Sequence, residues 1–251
     1  MKRAFVFDFD ATIAPEQGRF DSKLVRQLLL KMQRMGFTNV MLTGRPLDYA
    51  IGTRGMDILD ARACLDAAVG GYGTSVWHAK AHVMQNLTAS IPPAVHSALR
   101  RVGIPNRVMF CDPTAILVKG RYGAIASRAI EDLNMWRVSQ DLPPLAVVPK
   151  VSPFSTVFQG APTSKDIAFD RVVVEMYGIA AEHVIGAGDS WESDGPFLAK
   201  CRYAVIPANG DPRLKAMPNA IVSKFSGPRG TVDGVERVLK LIELEDKSLV
   251  A

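Results

Sequence analysis

Apolar and polar positions fall into blocks along this chain, and the first block sets the pattern for most of the rest. Residues 4–7 form an unbroken apolar run, as in a short strand buried on both faces within a parallel sheet. Leu24, Val25, Leu28, Leu29, Met32 and Met35 then recur at helical spacing. Asp21 or Ser22 is the predicted N-cap of that helix and Gly36 its stop. Residues 40–42 read as a second buried strand and 65–69 as a third. Gly70, Gly71, Tyr72 and Gly73 lack the spacing of a glycine-rich nucleotide loop and predict a sharp reversal. Residues 14–18 are turn-rich and are expected to form a flap beside the first strand.

From 78 to 158 the pattern changes. Short candidate strands at 81–84, 107–110, 115–118 and 145–148 mix with helical stretches at 94–102 and 124–138, punctuated by Pro92-Pro93 and Pro143-Pro144. This predicts a separate α+β lobe with an open sheet. Alternating buried strands and amphipathic helices resume near 161. Thr163 and Asp166 have capping-box spacing before a helix carrying Ile167, Val172, Val173 and Met176. Strands are expected at 184–187, 203–206 and 220–222, with a helix at 193–200. A closing helix carries Val232, Val235, Val238, Leu239 and Ile242 as its buried stripe. The fold class is therefore α/β: a parallel-sheet core over 1–77 and 159–251, with 78–158 inserted.

Composition narrows the function classes. With 251 residues, 48% hydrophobic and 22% charged, the chain is ordinary globular protein. A net charge of +5 suits an anionic ligand. Lysine and arginine are scattered, with no basic-aromatic stripe, so nucleic acid ranks last among the ligand classes. Cys64, Cys111 and Cys201 are far apart and odd in number, which fits a reducing compartment and no disulfide framework. His78, His82, His96 and His183 are isolated and read as structural. No signal peptide or membrane span is evident, and a cytoplasmic location is expected. Nothing in the pattern speaks to oligomeric state.

Candidate chemistry gathers at predicted strand ends, where open α/β sheets place their ligands. Asp8 and Asp10 follow the first strand, with Thr12 just beyond. Two carboxylates at ~4 Å repel by about 4 kcal/mol at an effective dielectric near 20, so one keeps a proton or a cation joins them. Either state suits phosphoryl chemistry, with one carboxylate as nucleophile, the other as acid and base, and Mg²⁺ as the counter-ion. The plainer alternative is an Asp-rich turn that caps the next element. After the second strand, Thr43 can bond a phosphate oxygen or cap a helix, Gly44 allows the turn, and Arg45 lines the entrance. Lys165 sits in the first turn of its helix, where the dipole disfavours a cation unless an anion is near. Asp189 and Asp194, beyond the strand at 184–187, can complete an oxygen site for a hard cation, or either can anchor Lys165. Asp194 can also simply cap a helix. In the inserted lobe, Arg107, Lys119, Arg121 and Arg128 are candidates to meet substrate anions or hydroxyls.

The order Asp8-x-Asp10-x-Thr12, Thr43-Gly44-Arg45, Lys165 and Gly188-Asp189-x₄-Asp194 resembles the haloacid dehalogenase-like superfamily. It is most similar to the Cof-type branch, which includes sucrose-phosphate and trehalose-phosphate phosphatases. That resemblance implies a Rossmann-like core with an inserted α+β cap. It implies Asp8 as nucleophile forming an aspartyl-phosphate, Asp10 as general acid and base, and Lys165 on the developing charge. Thr12, Thr43, Gly44 and Arg45 would surround the phosphate, and Asp8, Asp10, Asp189 and Asp194 are the candidate Mg²⁺ set. The expected activity is hydrolysis of a small phosphorylated metabolite, first of all a sugar phosphate. A phosphomutase using the same residues is the alternative, and a nucleic-acid end phosphatase or binding protein stands further back. Two positions depart from the family pattern. Ala11 replaces the usual glycine, so the turn after Asp10 must tolerate a Cβ. Asp166 replaces the usual glycine after Lys165. Neither change removes a reacting group.

Overall fold

A computed structural model describes residues 2–15, 23–51, 56–81, 83–152, 155–160 and 163–248. The strands are β1 (Arg3–Phe7), β2 (Phe37–Leu42), β3 (Ala67–Gly70), β4 (Ser75–His78), β5 (Val83–Asn86), β6 (Met109–Cys111), β7 (Ala115–Lys119), β8 (Val148–Val151), β9 (Ser155–Gln159), β10 (Val184–Ala187), β11 (Tyr203–Ile206) and β12 (Ala220–Val222). The helices are α1 (Lys23–Arg34), α2 (Leu47–Ala50), α3 (Ile58–Cys64), α4 (Pro93–Arg101), α5 (Tyr122–Ser139), α6 (Lys165–Ala168), α7 (Trp191–Leu198), α8 (Pro212–Lys215) and α9 (Gly227–Ser248). Among the described residues, no helix is long and apolar enough to cross a membrane.

The large sheet has the order β12-β11-β10-β1-β2-β3-β4-β5. It is parallel from β12 to β3, and β4 and β5 extend it by antiparallel pairing. β1 lies at its centre. The chain leaves β1 toward β2 and returns later to β10 on the other side, so the strand order reverses between them. Ligands bind outside the carboxyl ends of the strands at such a reversal. Register aligns those ends, because Phe7 pairs with both Ala187 and Met41.

Strand alternation explains the two-sided core. Phe5 and Phe7 point to one face and pack with Leu29 and Met32 of α1 and with Val235 and Leu239 of α9. Ala4 and Val6 point to the other, against Phe169, Val172, Phe197 and Leu198. Each fully buried phenylalanine contributes about 2 kcal/mol, which holds the central strand, and so Asp8, in place. On the second face, a Cβ on Gly186 would stand 2.6 Å from Leu198 Cδ2, so close helix packing requires glycine there.

The second sheet, β6-β7-β9-β8, is antiparallel throughout. Ile116, Val118 and Phe158 face α4 and α5, while Ala115, Leu117 and Val157 face Tyr49 of α2. Asp112, buried, ties this sheet to the large one. It accepts from the backbone of Thr114 and Ala115 on its own side and from Leu47 N, at 3.1 Å, on the other.

Several expectations shift. The strand anticipated at 81–84 within the inserted lobe is β5, which pairs with β4 at the edge of the large sheet. The strand expected at 145–148 starts only at Val148, because Pro143 and Pro144 keep the preceding chain irregular. The strand expected at 107–110 begins at Met109, after a 3₁₀ turn at Asn106–Val108. Ser164, not Thr163, caps α6: its extended backbone lets the hydroxyl accept from Ile167 N. That helix then widens over Phe169–Met176, and Tyr177 N reaches back five residues to Val172 O at 3.1 Å. The expected caps Asp21 and Ser22, most of the flap at 14–18, and His82 lie outside the described residues.

Candidate active site

Asp8 is the first residue past β1, and its amide donates to Ala187 O at 2.9 Å, so the backbone of β10 fixes its position. Gly188 and Asp189 follow β10 directly. Two remote segments thus deliver carboxylates side by side, as the strand-end reading requires. Carboxylate oxygens of Asp8, Asp189 and Asp194 all lie within 4.8 Å of one another.

Lys165 is the cation among them, 3% exposed, with Nζ 2.5 Å from Asp8 Oδ1 and 2.7 Å from Asp194 Oδ1. The dipole misfit seen in the sequence is thereby resolved, since two carboxylates face the first turn of α6. Burial works against the Lys165 charge, but Asp194 and Asp8 outweigh it and hold the ammonium above its ordinary range. Burial also pushes the Asp8 carboxyl well above the usual carboxylate range against the pull of Lys165, with Asp194, Asp189 and Asp10 adding to the push. Asp189 is pushed up to about 6, by burial first and then by Asp194. Three carboxylates around one ammonium leave excess negative charge in a low-dielectric place, which suits a hard dication with oxygen ligands.

The four acidic candidates do not contribute alike. Asp194 is fully buried. Its Oδ1 accepts from Lys165 and from Ser193 Oγ, and its Oδ2 accepts from the amides of Asp189 and Ser190, each at 3.0 Å. Four accepted bonds use the capacity of a carboxylate. Of its three expected roles, the geometry therefore favours anchoring Lys165, and the same carboxylate holds the Asp189 loop. A Cβ on Gly188 would lie 2.7 Å from Asp194 Cβ, so glycine there lets this carboxylate approach. Asp10 stands apart from the cluster: Arg45 Nε donates to Asp10 Oδ2 at 2.8 Å and Arg45 Nη2 donates to Oδ1. The side chain of Asp10, expected in the metal set, bonds the Arg45 guanidinium here, while the acids whose oxygens lie together are Asp8, Asp189 and Asp194.

Arg45, expected on the phosphate, is 4% exposed, packed between the rings of Phe9 (4.8 Å) and Tyr49 (5.0 Å), bonds Asp10 and lines the cavity. Thr12 and Thr43, expected on the phosphate, are buried. Thr12 Oγ1 donates to Asp189 Oδ1 at 3.3 Å, and Thr43 Oγ1 accepts from Arg45 N at 3.1 Å, the local bond of a turn cap. Gly44 lines the cavity beneath the Tyr72 ring. Ala11 adopts φ +54°, so the turn that glycine normally supplies is made here with a Cβ under strain. Asp166 bonds Ser164 Oγ at 2.8 Å and Lys200 Nζ at 3.3 Å, which makes it a helix-start residue outside the chemistry.

Above this floor is a cavity of about 240 Å³, lined by Asp8, Asp10, Arg45, Lys165 and Asp189 below and by Leu117, Lys119, Ser155 and Val157 of the second sheet above. Tyr49 and Tyr72 form its sides. No sequence signal singles out Tyr49, and Tyr72 stands out only through its glycine neighbours. Of the four basic candidates in the inserted segment, Lys119 is the one that lines this cavity.

No family model matches the sequence. The chain is similar to the phosphoglycolate phosphatase of Methanothermobacter thermautotrophicus, with 26% identity over 237 residues that span 94% of this chain and 99% of that protein. Among solved structures, it superposes on a haloacid dehalogenase-like hydrolase from Bacteroides thetaiotaomicron with a TM-score of 0.68 at 14% identity, covering 95% of this chain and 100% of the other. The sucrose-phosphatase of Synechocystis, solved with sucrose and phosphate, gives a TM-score of 0.54 at 14% identity, covering 94% of this chain and 98% of that one.

Proposed function

We propose that the chain is a haloacid dehalogenase-like phosphatase of small phosphorylated metabolites, dependent on Mg²⁺ and working through an aspartyl-phosphate on Asp8. The observation that carries this reading is the meeting of Asp8 and Asp189, from the ends of two neighbouring strands, beside the buried Lys165.

In the first half of the reaction, an Asp8 oxygen attacks phosphorus, the bond to the ester oxygen breaks, and that oxygen leaves with a proton from Asp10. In the second half, Asp10 takes a proton from water, the water oxygen attacks phosphorus, and Asp8 is released. Both Asp10 oxygens accept from Arg45 in this structure. Donation to the leaving group requires that this pair open. Lys165 orients Asp8 and faces the charge that builds on the phosphoryl oxygens. Mg²⁺ bound by Asp8 and Asp189 would neutralise nucleophile and phosphate together.

A cavity of about 240 Å³ suits a compact substrate. Sugar phosphates and phosphorylated hydroxy acids, the class named for the archaeal relative, both come within that size. The test is turnover of p-nitrophenyl phosphate with and without Mg²⁺ by the wild type and by Asp8→Asn. The expected result is Mg²⁺-dependent release of phosphate that Asp8→Asn loses; equal turnover by the variant refutes the reading.

A further inference from the structure

The roof of the cavity is one face of the second sheet. Leu117 and Lys119 lie two apart on β7 and so share a face, and their cross-strand partners on β9 are Val157 and Ser155. All four line the cavity. The roof therefore carries an apolar pair and, next to it, a cation beside a hydroxyl.

Among the described residues three cations line this cavity, and two of them have carboxylate partners: Lys165 bonds Asp8 and Asp194, and Arg45 bonds Asp10. Lys119 makes no ion pair among the described residues. Its ammonium is held half-buried over two rings, 4.7 Å from the centroid of Tyr49 and 5.4 Å from that of Phe110. Those rings pack at 4.1 Å, so the mount bridges core and second sheet. Aromatic faces stabilise a cation without neutralising it. A lysine partly withdrawn from water and lacking a counter-charge favours an anion in front of it.

We propose that Lys119 is a specificity-determining residue that binds a carboxylate on the non-reacting end of the substrate, so that the preferred substrates are small phosphorylated carboxylic acids rather than neutral sugar phosphates. The proposal rests on the phosphatase reading above. The phosphate belongs to the floor, where Asp8 and Lys165 lie, and the second anion meets the opposite wall. Ser155, beside Lys119 on the neighbouring strand, supplies a hydroxyl donor to the same carboxylate. Leu117 and Val157 select against the alternative. Sugar hydroxyls placed against them would lose water and gain no hydrogen bond in return.

The experiment compares matched esters that differ only at the far end: 3-phosphoglycerate against glycerol 3-phosphate, and 2-phosphoglycolate against 2-hydroxyethyl phosphate. The expected wild-type kcat/KM favours the carboxylate member of each pair by about tenfold or more. Lys119→Met lowers that ratio to near one, mainly by raising KM for the acids, and Lys119→Arg keeps most of it. A wild type that turns over p-nitrophenyl phosphate but shows no preference within the pairs, or hydrolyses neither member, overturns the proposal. So does Lys119→Met lowering both members equally, which would assign the lysine to the phosphate. A wild type inactive on p-nitrophenyl phosphate as well would instead sink the phosphatase reading itself.

Discussion

Asp194 receives the Lys165 ammonium at 2.7 Å on one oxygen, while its other oxygen holds the amides of Asp189 and Ser190. One buried carboxylate therefore positions both the cation and the loop that presents the second acid. Removing it leaves the buried Lys165 with Asp8 as its remaining carboxylate partner. Asp194→Asn is expected to cost about 3–5 kcal/mol of stability, the usual penalty for breaking a buried ion pair from one side. It should also lower kcat by about a hundredfold, because the cation facing the phosphoryl group is then held by Asp8 alone. Urea unfolding and steady-state kinetics on the same preparation check both. A variant of full stability would show that the pair is dispensable.

The raised carboxyls make a signed prediction about pH and metal. Asp189, pushed up to about 6, and Asp8, pushed up by burial, bind protons more tightly folded than unfolded. Between the unfolded value of 3.8 and about 6 the native state holds the extra proton, so metal-free stability falls as pH rises through that window. Thermal melts without metal should therefore show a higher Tm near about pH 5 than near about pH 7.5. Adding Mg²⁺ should reverse this, with a larger increase in Tm at the higher pH, because binding requires the ionised carboxylates. An increase independent of pH would place the ion away from Asp8 and Asp189.

The frame of this molecule is readable from periodicity. Strands β10, β11 and β12 lie at the positions expected, because continuous apolar runs between turn residues leave little choice. The chemical residues at strand ends are readable for the same reason, since charge must wait until a buried strand finishes. Pairing between distant side chains is not. That Arg45 turns to Asp10, and that Asp194 rather than Asp189 anchors Lys165, depends on which loops meet across the crevice. The roof is hidden too: Leu117 and Val157 look like any core residues until β7 and β9 are seen to cover the cavity.

Ala11, at φ +54°, occupies a conformation that costs an alanine about 1–2 kcal/mol. Its carbonyl accepts from Asn209 Nδ2 at 3.1 Å, which helps hold the turn. Ala11→Gly removes the strain but frees the unfolded chain, which offsets about 0.4–1 kcal/mol. A net stabilisation of up to about 1 kcal/mol is expected, read as a shift in the urea midpoint at constant slope. A destabilised variant would mean that the alanine methyl packs favourably at this turn.

The family resemblance sets Gly44 against a phosphate, and the structure offers a different reason for glycine there. A Cβ on it would lie 2.7 Å from Tyr72 Oη and 2.8 Å from Cε2, inside contact distance. The Tyr72 ring borders the cavity, which is the open direction for it to move. Gly44→Ala should push the ring into the cavity, raising KM for a phosphate ester and costing about 1–3 kcal/mol of stability. The two explanations separate in the double variant. If the ring is the obstacle, Gly44→Ala with Tyr72→Ala recovers much of the KM lost by Gly44→Ala alone. If close backbone approach to the phosphate is what matters, the second substitution recovers nothing, because the methyl still stands between the chain and the ligand.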